Sequence, residues 1–490
     1  MKKIVSIVMA LSLAALSVLF AACGNDPAPA AEVGTAAKDT AAAIEAETQP
    51  AVTDRSQKSD SLPSDLDFDG EVIRFFIRPE FAKYDAVGEN SGDIVYDSVY
   101  NRNLDVEERL NVKLSFLMAK ETFSEMAAQV ESTVLAGDDA YDVIQQRSLQ
   151  SFQHALKGMF LDLAGAPYID PDQPWWWMDV IKDTSINTSK LYYLTGDLSL
   201  STIQHSTCCY VNTKMLESFG HDMDGIYDAV EAGKWTWDLF KIYCEGVYTD
   251  VNGDGTADGE DIYSFSYYPS GHQWFVYSSG LKFTGRDADG YPVLNIYNSE
   301  SMRLLETLVD LWHTNNNSYF VDDKFDVMVR KFVAEKNLFC MGRFTHSDII
   351  RSMESPFSIV PYPKLDEKYD YMSGTGASGN FISLPVTTQR QETACAVLEA
   401  MSAENYRSVF PTYYEIALKI KYASGNRDAQ MIDIVYDSIY VDFTNTANIP
   451  ILIDTLLKDN NTDFASAYSQ KEASIQSSLQ KMLEQYEAIS

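Results

Sequence analysis

The strongest constraint on the fold is an alternation of short apolar runs with amphipathic helices early in the globular sequence. Glu71 to Ile77 is rich in β-branched and aromatic residues and reads as a strand. Ser98 to Leu110 puts Val99, Leu104, Val106 and Leu110 at helical spacing, and Asn111 to Leu117 then alternates as a strand does. A second helix is predicted over Phe123 to Leu135, and Tyr141 to Ile144 begins another strand. Consecutive strands joined by helices and short loops predict an α/β layer with parallel strands. A helix around Leu149 to Lys157 follows. Later helices are predicted near Trp237–Val247, Ser299–Trp312 and Glu392–Ala400, and strands at Phe357–Pro361 and Phe381–Leu384. No repeat of fixed period is present, and 490 residues suffice for two or three domains.

The N-terminus has a different character. Lys2 and Lys3 precede an apolar run from Ile4 to Phe20, and Phe20-Ala21-Ala22-Cys23 ends it with small residues. The run is shorter than the roughly 20 residues that span a hydrocarbon core, so an export signal over 1–22 is expected rather than a membrane helix. Ending on Cys23, it resembles a bacterial lipobox, with Phe20 where Leu is usual. The resemblance implies a lipidated Cys23 whose acyl chains, palmitate among them, hold the protein to the membrane. Residues 23–64 are rich in Ala, Pro, Thr, Ser and Glu and read as a flexible tether. Its reach is roughly 35 Å as a flexible coil. The globular part is expected to start near Asp65.

Charge excludes several partners. With 38 Lys and Arg against 71 Asp and Glu, the formal net charge is −33. Such a surface repels phosphate backbones, so nucleic acid is not an expected partner, and a broadly anionic solute is disfavoured on the same ground. After Cys23 the cysteines are Cys208, Cys209, Cys244, Cys340 and Cys395. Their spacing matches neither a zinc site nor a disulfide framework, and they read as small buried hydrophobes. A single bridge stays open, with its partners unassigned.

Most chemical motifs fail. Gly374-Thr375-Gly376-Ala377-Ser378-Gly379 has the letters of a dinucleotide fingerprint, but an extended segment rather than a helix follows it, so it is read as a flexible crossing loop. Phosphate-loop, zinc-helix and nucleophile-elbow motifs are absent, the six histidines are scattered, and no sign of catalysis emerges. One motif is sharp. Asp250 to Asp261 fits a calcium loop, with Asp250, Asn252, Asp254, Asp258 and Asp261 as side-chain ligands, the Thr256 carbonyl, and Gly255 at the sharp turn. Position 12 is Asp rather than Glu, and position 8 is Ala257 rather than a larger apolar residue. A solvated Asx/Gly turn without metal is the other reading. A bound Ca²⁺ would act as a structural staple between a helix and the strand at Ile262–Phe265.

Several stretches together resemble the extracellular solute-binding proteins of bacterial ABC importers, in the carbohydrate-associated group related to maltose-binding protein. They are Lys190 to Asp197, Tyr210-Val211-Asn212-Thr213-Lys214-Met215-Leu216, Gly233-Lys234-Trp235-Thr236-Trp237-Asp238 and Phe357 to Lys364. The aspartate-rich loop, Pro411 to Glu415 and Lys419 to Tyr422 complete the set. The resemblance implies two α/β lobes joined by two or three crossing strands, a solute cleft between them, and delivery to a membrane permease after hinge closure. It divides the globular part into a first lobe over 65–204, a second over 205–376 and a return segment over 377–490.

Sugar recognition needs flat apolar plates and planar hydrogen-bonding groups. Tyr268, His272 and Trp274 follow the Ile262–Phe265 strand where the resemblance places stacking residues. Gln146 and Arg147 follow the Tyr141–Ile144 strand, His205 precedes the crossing, and Arg343 and Phe344 stand where relatives carry an aromatic plate. Burial in a core is the competing reading for each aromatic and for His205. Trp175-Trp176-Trp177 fits a membrane-side contact, a cleft edge or lobe packing. The expectation is a non-catalytic, lipid-anchored sugar receptor outside the cell membrane. Its alternatives are a surface glycan-active enzyme and an adhesion or sensing module.

Overall fold

Two sheets organise the residues that the computed structural model describes, which are 55–120, 122–268, 270–321, 325–414 and 425–489. The chain starts with β1 (Glu71–Ile77), α1 (Ile94–Leu110), β2 (Val112–Met118), α2 (Phe123–Leu135), β3 (Val143–Arg147) and α3 (Ser148–Leu156). Local chemistry sets these ends. Asp93 caps α1 by accepting from the Val95 and Tyr96 N–H groups, and Asn111 ends it in the left-handed region at φ 48°. Thr122 and Glu125 form a reciprocal capping box on α2.

A short helix, α4 (Leu200–Gln204), leads into β4 (Thr207–Asn212) and the second half of the molecule. There follow α5 (Trp237–Cys244), β5 (Tyr263–Tyr267), α6 (His272–Tyr277), β6 (Ser318–Phe320), β7 (Asn337–Arg343) and β8 (Phe357–Val360). The Trp-Thr-Trp-Asp motif has a clear physical role. Thr236 caps α5 through the Leu239 N–H, while Trp235 and Trp237 are wholly buried on either side of the cap. Asn212 likewise caps the helix after β4 by accepting from the Met215 N–H at 2.9 Å. The chain then returns through β9 (Ser373–Gly374) to β10 (Asn380–Ser383) and α7 (Gln391–Glu404). It ends with α8 (Asn426–Asp437), β11 (Ile439–Tyr440), α9 (Ile453–Lys458) and α10 (Phe464–Ala488).

The first sheet has the order β10-β3-β1-β2, parallel except where β10 joins β3. The second has the order β8-β4-β7-β5-β6, with antiparallel pairs β8–β4 and β4–β7 and parallel pairs β7–β5 and β5–β6. The chain passes between the sheets three times: before β4, between β8 and β10, and between α7 on the first side and α8, which packs on β8. The parallel pair β9–β11 ties the second passage to the segment that follows α8. The Gly374–Gly379 glycines therefore serve a crossing that enters a strand. The five cysteines are buried and unbridged, three of them on β4 and β7.

A buried polar knot ties the crossings together. The Asp85 carboxylate accepts from the Ser201 backbone N–H at 2.8 Å, from the Ser201 hydroxyl and from Asn380 Nδ2 at 2.6 Å. Arg102 donates to the carbonyls of Asp85 and Ala86 and to Asn405, whose Nδ2 in turn donates to the Asp197 carbonyl. Burial pushes the Asp85 carboxyl up to about 6 despite these donors. Close approach matters nearby as well. A Cβ on Gly196 would lie 1.9 Å from the Trp175 carbonyl oxygen, so only glycine fits there.

Residues 55–64, read from composition as part of the tether, pack on the globular part instead. Arg55 pairs with the buried Asp197 at 3.0 Å and stacks on Tyr406 and Phe410, Asp60 pairs with Arg109, and Leu62 joins the core. These contacts lie before Asp65, the expected start of the globular part. Three isolated anchors in a polar stretch are enough to fix it, and composition averages over them. The expected signal over 1–22, Cys23 and the tether up to residue 54 lie outside the described residues, as do Glu415 and Lys419 to Tyr422.

Candidate functional site

Ligands of open α/β sheets gather beyond the carboxyl ends of parallel strands. In the first sheet those ends are occupied by arginines. β1 and β3 are parallel with Ile77 opposite Gln145, so Arg78, just after β1, and Arg147, last in β3, share one edge. Both guanidiniums stack on Phe123, with centroid distances of 3.6 and 3.2 Å. Arg78 also pairs with Glu80.

The second sheet brings its own strand ends to the same neighbourhood. Arg343 ends β7, and its guanidinium lies 4.1 Å above the Trp274 ring. Tyr268 meets that indole edge-on at 5.2 Å, and His346 is 5.9 Å from it. Electrostatic coupling ties the two sets together. Arg147 is pulled down to about 10 by burial, against the attraction of Glu80, with Arg343 and Arg78 repelling it further and Tyr268 within its field. Burial also lowers Arg343, beside Tyr268 and Tyr362.

Two histidines complete the neighbourhood. His205 stands at the end of α4, where its Nδ1–H donates to the Ser201 carbonyl at 2.6 Å. The Nδ1 of His346 accepts from the Arg343 backbone N–H at 3.1 Å, and Gly342 leaves room for that ring. Burial, with Arg343 adding repulsion at each, pushes both imidazoles down to about 3. Both are therefore neutral at ordinary pH.

The structure thus brings together five of the expected residues: Arg147, His205, Tyr268, Trp274 and Arg343. Three others go elsewhere. The Gln146 side chain turns to the opposite face of β3 and bonds His154 Nδ1 at 3.0 Å, because successive strand residues alternate sides. His272 faces α9, with its Nε2 3.7 Å from Asp454. Phe344 is fully enclosed in the core rather than presented as a plate, since its backbone turns into the helical segment after β7. Arg78, Glu80, Phe123 and His346 belong to the neighbourhood and were not anticipated. Arg78 was findable, because it ends its strand as Arg147 does in the parallel neighbour.

In the tryptophan run the first two residues pack in the core and the third edges a cavity. Trp175 and Trp176 are buried, with Trp176 Nε1 donating to Glu399 at 2.9 Å. Trp177 Nε1 donates to Asp197 at 2.9 Å, and its ring borders a cavity of about 470 Å³ beside Tyr436 and Ile439. The Asp250–Asp261 loop is wound by Asx turns. Asp250 accepts from the Gly253 and Gly255 N–H groups, Asn252 from Asp254, Asp254 from Thr256, and Asp258 from Glu260. Asp261 accepts from Val251, Asp258 and the Tyr248 hydroxyl. The donor set is right for a hard cation, yet among the described residues no three acidic, His or Cys side chains converge into a metal cluster.

Solved structures share this architecture. The chain has the two-lobe fold of solute-binding proteins. The GacH receptor of Streptomyces glaucescens, solved unliganded and with acarbose, superposes with a TM-score of 0.53 at 14% identity, covering 85% of this chain and 99% of that one. An ABC transporter associated binding protein from B. animalis subsp. lactis, in complex with β-1,6-galactobiose, gives 0.52 at 14% identity, covering 85% and 98%. UgpB from Mycobacterium tuberculosis, with glycerophosphocholine, gives 0.50 at 12% identity, covering 86% and 98%. No protein-family description matches the chain, and no curated relative does. In this two-lobe fold the neighbourhood built by Arg147, Trp274 and Arg343 lies where strand ends of both sheets meet. Among the described residues no helix is long and apolar enough to cross a membrane.

Proposed function

We propose that the protein is the capture receptor of an ABC importer, binding a saccharide between its two sheets without chemical turnover. The observation that carries this reading is the meeting of Arg147 from β3 with Tyr268, Trp274 and Arg343 from the second sheet. Planar donors and aromatic rings drawn from both halves are what a hydroxyl-rich guest requires. A guest touching both halves at once favours the closed arrangement by its differential affinity, and a permease reads that shape. Cys23 would be the lipid anchor, holding the receptor outside the cell membrane. Labelling with radioactive palmitate, lost in Cys23→Ser, is the expected result.

Thermal-shift screening of the full chain against mono- and oligosaccharides tests the binding reading. A guest at 100 times its dissociation constant stabilises by about 2.7 kcal/mol. No shift with any saccharide, for a protein shown to be folded, would remove the sugar. Release of reducing ends from a bound glycan would make it an enzyme instead.

The 250–261 loop is proposed to take Ca²⁺, which would draw Asp250, Asn252, Asp254, Asp258 and Asp261 inward together with the Thr256 carbonyl. Equal melting temperatures in chelator and in calcium would refute this.

A further inference from the structure

The overall charge of −33 contrasts with the strand ends, where the charged side chains among the described residues are mostly basic. Arg78, Arg147 and Arg343 gather there, and among the described residues the carboxylate beside them is Glu80, paired with Arg78. His205 and His346 are neutral, and burial raises the Tyr268 phenol so that it is neutral too. Among the described residues neither Arg147 nor Arg343 has an ion-pair partner, and the Nε of each is enclosed without a hydrogen bond. Each instead lies over an aromatic ring, Phe123 or Trp274. A guanidinium can neither give up its proton at ordinary pH nor accept a hydrogen bond, so an enclosed one is left short of an acceptor. Two such groups, one from each sheet, repel each other.

We propose that the captured saccharide is acidic, carrying a carboxylate, sulfate or phosphate group that Arg147 and Arg343 clamp from opposite sides. The proposal rests on the capture reading and narrows its guest. Planar oxyanions match the guanidinium fork bidentately, and such charge-assisted bonds are stronger and more directional than those to hydroxyls. Because the two arginines belong to different sheets, the anion also cancels a repulsion that opposes closure. The acidic remainder of the surface does not forbid this, since its field is screened beyond roughly 8 Å in physiological salt.

The test is calorimetric titration of the full chain with four probes. They are a disaccharide ending in a uronic acid, the same disaccharide with that carboxylate reduced to hydroxymethyl, a sulfated disaccharide and inorganic sulfate. We expect an acidic sugar to bind at least about tenfold more tightly than its neutral counterpart, with affinity falling as salt rises. Whether the uronate or the sulfated sugar binds more tightly identifies the anionic group. In Arg343→Gln and Arg147→Gln the acidic-to-neutral preference should collapse toward one. Arg343→Lys should keep part of it, because the charge survives without the fork. Equal or tighter binding of the neutral disaccharide overturns the proposal and leaves the sugar reading standing. Binding of inorganic sulfate alone, with none of the three disaccharides bound, overturns the sugar reading and this proposal with it. The wild-type comparison needs no variant, so a poorly folding substitution does not protect the idea.

Discussion

Asp85→Asn tests the polar knot at the crossings. Asp85 is fully buried, and burial raises its carboxyl from 3.8 to about 6. The folded state therefore holds the Asp85 proton more tightly than the unfolded state does. With that sign, the stabilising contribution is complete below about pH 4 and is lost as pH rises through 6. Integrating the linkage between pH 4.5 and pH 7 gives a loss of about 2 kcal/mol from this group alone. Asparagine mimics the protonated acid in shape, and its amide oxygen can still accept from Ser201. The variant lacks the titration, so its stability relative to wild type should improve by about 2 kcal/mol over that interval. Other groups with raised values, Asp197 and Glu399, are common to both proteins and cancel in the difference. Urea unfolding followed by tryptophan fluorescence at both pH values measures it, using seven tryptophans as reporters. A gap that is equal at the two pH values, or that moves toward wild type as pH rises, would refute the reasoning.

Gly196→Ala should destabilise the fold by about 2 kcal/mol or more, because its methyl would overlap the Trp175 carbonyl; thermal melting measures this, and an unchanged melting temperature counts against the packing described. His205 and His346 should stay neutral, so their imidazole NMR signals should not move between pH 8 and pH 5. A midpoint near 6.5 in either would show that the strand ends are open to water. Trp274→Leu keeps apolar bulk but removes the ring under Arg343. It should weaken binding of a saccharide found by screening about fivefold or more, with melting lowered by only a few degrees. Unaltered affinity by calorimetry would exclude Trp274 from the binding surface.

Local pattern was enough to read the strands of the first sheet and several helices, because strand period, helix period and caps act over a few neighbouring residues, whereas β7 and the long α10 were not among the predicted elements. Glu71–Ile77 and Phe123–Leu135 were placed to the residue, and the glycine-rich segment was recognised as a crossing by the strand that follows it. The strand before Arg147 was read in the same way, whereas Trp274 and Arg343 were proposed from the family resemblance. Three things depended on longer-range geometry. Strand alternation sends Gln146 to His154, helix direction turns His272 toward Asp454, and Arg55 is fixed through Asp197, 142 residues away. The sign of the local field was the fourth. Composition counts 71 acids against 38 bases, but only the meeting of two sheets sets Arg78, Arg147 and Arg343 beside one another, with Glu80 as the carboxylate among the described residues there. Electrostatic energy depends on separations of a few ångströms, and those are fixed by the packing of segments far apart in the chain.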